Sequence, residues 1–209
     1  MPYESGPTCE KQFAAMRESF GSSCAVKVTG SAPFEPSSLE PIMDVIKDAP
    51  IGVRASVYVF YCEAISNVLH HAYNESDAPP SAWWMATVQV DPSKNHYLFK
   101  VADQGRGLSR CVDVCSDQLS ASVANSTFRK WSNFFAATEC PSSDARGQGM
   151  ASFVRLVKSY RGSQLTVESN DARCTYSDGG SPQVSIVDAP RPGVSVTLDL
   201  PFNILESSQ

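Results

Sequence analysis

The sequence predicts an α+β fold, a two-layer α/β sandwich with a mixed, mainly antiparallel sheet and helices on one face. Three observations predict it. From about residue 53 to 73, Val53, Val57, Phe60, Ala64 and Val68 recur at three- and four-residue steps, the stripe of a helix that buries one side. Residues 83–90 and 96–101 are rich in aromatic and β-branched side chains and flank Asp91-Pro-Ser-Lys-Asn95, a turn composition, so they read as a hairpin. The later strands are grouped after helices instead of alternating with them, which favours helices gathered on one sheet face.

The remaining elements follow in chain order. Residues 24–28 read as a strand ended by Gly30 and a loop at Pro33. Ser37 with Glu40 has the spacing of a capping box, opening a helix that carries Ile42, Val45 and Ile46 and ends near Asp48-Ala-Pro50. From Leu108 to Arg146 regular patterning is lost, apart from a weak helical pattern over 120–135, and so long an irregular span inside a domain is functional or mobile. Residues 150–160 form a helix with Phe153, Val154 and Val157 inward. Residues 164–168 and 194–200 are strands, and 174–187 add a hairpin around Asp178-Gly-Gly180. The reading is one domain over 23–205, preceded by an extension, 1–22, in which residues 12–20 suit a short docking helix.

Composition excludes several classes. With 42% hydrophobic and 19% charged residues, the chain can form an ordinary core without cross-links. A net charge of −5 and the lack of a Lys/Arg-rich stretch give no electrostatic reason to expect nucleic acid. No apolar run has the length of a membrane span, and the first residues lack signal-peptide character, so a cytoplasmic location is expected. The seven cysteines are scattered. Cys111 and Cys115 are four apart with no companion pair to complete a zinc site, so reduced thiols are expected.

Three short segments carry chemistry. Glu63 and Asn67, four apart, project from one helix face. The Asn amide oxygen suits Mg²⁺, and a carboxylate beside it can orient or deprotonate a nucleophile. Taken alone, Glu-x-x-x-Asn is also the polar edge of many core helices. His71 lies four beyond Asn67, where it serves equally as a phosphate contact or as a helix-end histidine. His70 and His71 point about 100° apart, which argues against joint metal chelation. Asp103-Gln-Gly105-Arg-Gly107 follows a strand. Its glycines allow a sharp turn and close approach of a ligand, and its Asp can accept from an exocyclic amine. Arg146-Gly147-Gln-Gly149 opens a helix, where bare N–H groups and the helix dipole favour phosphate. A Walker P-loop is absent, and Ser152 stands where a Rossmann fingerprint needs its third glycine.

In this order and placement, the three segments resemble the boxes of the GHKL (Bergerat-fold) ATP-binding superfamily. Glu63 and Asn67 match its N-box, Asp103, Gly105 and Gly107 its first glycine box, and Gly147 and Gly149 its second. Residues 193–201 resemble its closing strand, although Val194 stands where many members carry Thr. The stretch Glu63 to Tyr73 is most similar to anti-sigma-factor serine/threonine kinases, and the Trp83-Trp84 hairpin to stand-alone bacterial ATP-binding proteins. The resemblance implies ATP and Mg²⁺ as cofactors, with Asn67 as the metal ligand and Asp103 on the adenine amine. It also implies Gly105 and Gly107 around the adenine and Gly147 and Gly149 around the phosphates, where the residues' own chemistry would let His71 and Arg146 add contacts. Glu63 would be catalytic, and residues 108–146 a lid whose Trp131-to-Phe135 cluster serves lid packing or a partner. The implied partner is a regulatory protein of the STAS or sigma-factor kind, and a homodimer is compatible with it. A nucleotide-gated interaction module or slow ATPase is the alternative to a kinase.

Overall fold

The computed structural model describes residues 24–73, 83–91, 94–105, 107 and 148–201. The expected N-terminal extension, the expected lid with its aromatic cluster, Cys111, Cys115, Arg146 and Gly147 lie outside these residues.

Strand β1 (Cys24–Gly30) is followed by a 3-10 turn (Pro36–Leu39) and a short helix α1 (Glu40–Val45). Helix α2 (Ile51–Asn67) continues into one wider π turn (Val68–Ala72). Strands β2 (Trp84–Asp91) and β3 (His96–Ala102) form the expected hairpin, with Asn95 in the left-handed conformation at its turn. Helix α3 (Gln148–Ser159) leads into the two longest strands, β4 (Gln164–Ser177) and β5 (Gln183–Pro201).

The five strands lie in the order β1-β2-β3-β5-β4, and all four pairings are antiparallel. The expected mixed component is therefore absent among the described residues. Period-two alternation sends Trp84, Ala86 and Val88 of β2, Phe99 and Val101 of β3, and Val196, Leu198 and Leu200 of β5 into one core. The buried stripe of α2 (Val53, Val57, Phe60, Tyr61, Ala64, Ile65) and Phe153, Val154 and Val157 of α3 fill the other side of that core. The described helices thus pack on one sheet face, as the grouping of strands after helices favoured. Phe60 and Phe153 meet with ring centroids 5.2 Å apart, joining the two helices. The Tyr61 hydroxyl donates to the Thr87 carbonyl at 2.6 Å, tying α2 to the sheet.

Several local expectations are corrected. Ser37 lies inside the 3-10 turn and caps nothing. Neither the turn nor α1 has a side-chain cap hydrogen bond, because Pro36 and Pro41 occupy the opening positions and set the entry conformation. The α1 helix stops at Val45, short of Asp48, and a turn follows. The expected strands at 164–168 and 194–200 and the expected hairpin at 174–187 are parts of one long hairpin, β4 with β5, which turns at Asp178-Gly-Gly180 as expected. Asn170, which looks like a strand terminator, instead takes φ 54 at a register shift within β4, so the strand bends and continues. Cys62 and Cys174 are free thiols, and burial pushes Cys174 up to about 12. Among the described residues, no helix is long and apolar enough to cross a membrane.

Candidate functional site

The register assigns each element end to one of two sides of the sandwich. Gly30 pairs with Trp84, Met85 with Ala102, Ala102 with Ser195, and Ser169 with Val194. These residues therefore share one end of the sheet. The other end holds Cys24, Asp91, His96, Pro201 and Gln164. Helices α2 and α3 run antiparallel, because Tyr160, just past α3, reaches Ser56 (2.9 Å) and the Gly52 carbonyl (3.3 Å) at the start of α2. From the shared level of Phe60 and Phe153, a rise of 1.5 Å per residue carries Asn67 about 10 Å and Gln148 about 8 Å in the same direction. The end of α2, the end of β3 and the N-terminus of α3 thus converge, and each carries one of the three segments singled out in the sequence.

Asp103 is the most informative residue at this end. It follows β3 directly and is 6% exposed. Its Oδ1 accepts from the Gly105 amide at 2.7 Å and from the Val194 amide at 3.3 Å. No hydrogen bond to its second oxygen occurs among the described residues. Burial pushes the carboxyl up to about 6, against the two amide hydrogen bonds that favour the charged form. A buried carboxylate with one oxygen spoken for and one open is an acceptor poised for a donor from outside the protein.

Glycines let the backbone close in around it. A side chain at Gly105 would run into the Ala72 carbonyl, so this loop can seat on the end of the α2 helix only without a Cβ. Gly193 has φ 83, and a Cβ there would strike the backbone of Asp103. Gly107 has φ 80, and a Cβ there would meet Asn170 at 2.6 Å and Ser169 at 2.9 Å.

The other sequence-predicted residues fall as follows. Glu63 and Asn67 are half-buried on the last two turns of α2. His71 is exposed in the π turn. The His70 ring is engaged with the Ser66 carbonyl at 2.8 Å and sits 6.2 Å from the His71 ring, so the pair is not a joint chelate. Gly149 lies in the first turn of α3. Among the described residues, no three His, Cys, Asp or Glu side chains cluster to hold a metal.

Three residues escaped the sequence reading. Tyr73 packs into the junction, its hydroxyl donating to the Trp83 carbonyl at 3.0 Å and accepting from the Gln104 amide at 3.4 Å. Asn170 and Ser169 reach Gly107 from the irregular part of β4. Two turn-forming residues, Asn170-Asp171, inside a strand run were the available signal for that bulge. A separate groove of ≈ 350 Å³, lined by Met43, Lys47, Ile51, Arg54 and Tyr58, lies toward the start of α2, away from these residues.

No protein-family model matches the chain, and no curated protein matches it.

Proposed function

We propose that the chain is a Mg-ATP-binding regulatory protein of the Bergerat (GHKL) kind, acting as an anti-sigma-like serine/threonine kinase on a regulatory protein in the cytoplasm. The observation that carries the proposal is Asp103: a 6%-exposed carboxylate, fixed through one oxygen and open at the other, at the end where all three motifs meet. The second carboxylate oxygen stays available to a donor at that point, which suits ligand recognition.

The residues present fit the groups the proposal requires. Asp103 suits an exocyclic amine, and Gly105 and Gly107 let its loop close against Ala72 and against Asn170 and Ser169. The N-terminus of the twelve-residue α3, with Gly149 in its first turn, suits phosphate oxygens. Asn67 would hold Mg²⁺ through its amide oxygen, the remaining ligands coming from phosphates and water. Bound there, Mg²⁺ supplies charge neutralisation for the departing phosphate. Glu63, one turn earlier on the same face, would take the proton of a Ser or Thr hydroxyl as its oxygen bonds to the γ-phosphorus and the β–γ bridge breaks, leaving ADP.

The deciding experiment is thermal unfolding with and without Mg-ATP, since a ligand that binds only the native state raises the midpoint. A rise in the wild type that disappears in Asp103→Asn and shrinks in Asn67→Ala supports the proposal. A wild-type midpoint unmoved by millimolar Mg-ATP removes it. Label transfer from γ-labelled ATP to a protein then separates a kinase from a slow ATPase that releases only phosphate.

A further inference from the structure

The Tyr73 hydroxyl joins three chain segments at one point. Tyr73 ends the π turn, donates to the carbonyl of Trp83 immediately before β2, and receives the amide of Gln104 between Asp103 and Gly105. One residue earlier, the Ala72 carbonyl lies against the Gly105 Cα. The loop that bears Asp103 is therefore held from below by two consecutive residues of the helix end. From above it is held by β5, through the Asp103 amide on the Val194 carbonyl at 2.9 Å.

We propose that Tyr73 is a positioning residue that sets selectivity for a 6-aminopurine, by holding the Gln104 peptide so that the open oxygen of Asp103 faces the exocyclic amine. The proposal rests on the nucleotide reading of the site. Its physical basis is that a hydrogen bond discriminates only when its acceptor is fixed. A loop free to turn can satisfy its carboxylate with water and loses little when the amine is missing. Tyr73 suits the task because its hydroxyl is a donor at every relevant pH. Burial, then the neighbouring Asp103 charge, push it up to about 12. Its aromatic ring keeps the phenol in place with little entropy to lose.

The test uses the full chain and two ligands, Mg-ATP and the triphosphate of purine riboside, which lacks the 6-amino group. In the wild type, Mg-ATP binds about tenfold or more tighter, the worth of one fixed hydrogen bond. Tyr73→Phe removes a single oxygen and keeps the ring. It loses most of that preference, chiefly through weaker Mg-ATP binding, while the amine-less analogue binds as before. Tyr61→Phe is the control. It removes a tyrosine hydrogen bond inside the core, to Thr87, and lowers stability while the preference stays intact. Equal weakening of both ligands in Tyr73→Phe, or an unchanged preference, overturns the role of Tyr73 with nucleotide binding still standing. A wild type that binds neither ligand overturns the nucleotide reading itself.

Discussion

Asp103 and Val194 are joined twice across the β3–β5 boundary. The Asp103 amide donates to the Val194 carbonyl at 2.9 Å, and the Val194 amide donates back to the Asp103 carboxylate at 3.3 Å. The backbone pairing of the sheet is thus continued one residue past β3 by a side chain, which fixes the carboxylate relative to the strand ends. This geometry makes the charge on Asp103 a stability variable, and under the proposed function it would hold the open oxygen toward a ligand's donor.

In the folded chain the Asp103 carboxyl sits at about 6, against 3.8 as its ordinary value. The folded state therefore holds the proton more tightly than the unfolded state. The associated stability is fully present below the unfolded pKa and is lost as pH rises from about 4 through about 6. The loss is on the order of 3 kcal/mol. Asp103→Asn keeps an oxygen for the two amides and removes the buried charge. At pH 7.5 it is expected to melt higher than the wild type and to show a flatter stability profile between pH 4 and 7, while Mg-ATP no longer raises its midpoint. Chemical denaturation across that pH range checks it. A variant that is less stable and still binds ATP would mean that Asp103 serves the fold.

Two glycines give opposite expectations for the same substitution. Gly193→Ala must force a side chain into the Asp103 backbone at a φ of 83, so it should cost about 1–3 kcal/mol and disturb the site. Gly52, in the first turn of α2, has nothing within 4 Å of a new Cβ. Gly52→Ala should be neutral or stabilise by up to about 1 kcal/mol, because alanine loses less backbone entropy in a helix. Denaturant midpoints of the two variants decide this, and equal effects would contradict the geometry.

What the sequence made legible follows the physics of each signal. The stripe on α2, the β2–β3 hairpin and the α3 helix are regular patterns set by side-chain burial, and they are found within a few residues of where they were expected. Asp103 with its glycines was visible because a strand end followed by Gly-x-Gly is a local signature. The continuity of β4 was not legible, since Asn170-Asp171 reads as a stop unless the partner strand that absorbs the bulge is known. Ser37 misled because a capping spacing says nothing of prolines that preset the backbone. Tyr73 was visible only as the last letter of a helix. Its partners, Trp83 and Gln104, are 10 and 31 residues away in sequence, and only the fold brings them together.

The contact between Phe60 and Phe153 spaces α2 from α3 and so sets where Asn67 stands relative to the α3 N-terminus. Truncating either ring to alanine should cost about 3–5 kcal/mol, the range for emptying a packed aromatic site. The double variant should cost less than the sum, because both truncations open one shared cavity. Ile186→Ala, at a 77%-exposed position, should stay within about 0.5 kcal/mol and serves as the reference. Additive losses in the double variant would show that the two helices are held apart by other contacts.

Under the proposed function Glu63 and Asn67, on the last two turns of α2, would divide the work, and their substitution should separate binding from turnover. Glu63→Gln keeps the size and a hydrogen-bonding side chain but cannot take a proton. It should retain the Mg-ATP-induced rise in melting midpoint and lose turnover by about 100-fold or more, the usual worth of a general base. Asn67→Ala removes an amide oxygen from a half-buried position where nothing else need change. It should leave the stability without nucleotide within about 0.5 kcal/mol. It should also make the midpoint rise with ATP insensitive to whether Mg²⁺ is present. Midpoints with ATP plus EDTA and with ATP plus Mg²⁺, measured beside phosphate release, resolve the two roles. If Glu63→Gln turns over at the wild-type rate, the carboxylate is only the polar edge of a core helix, and the site binds nucleotide without a base of its own on α2. If Asn67→Ala keeps a full Mg²⁺-dependent rise, the ion is held elsewhere, and the N-box correspondence fails at its central residue.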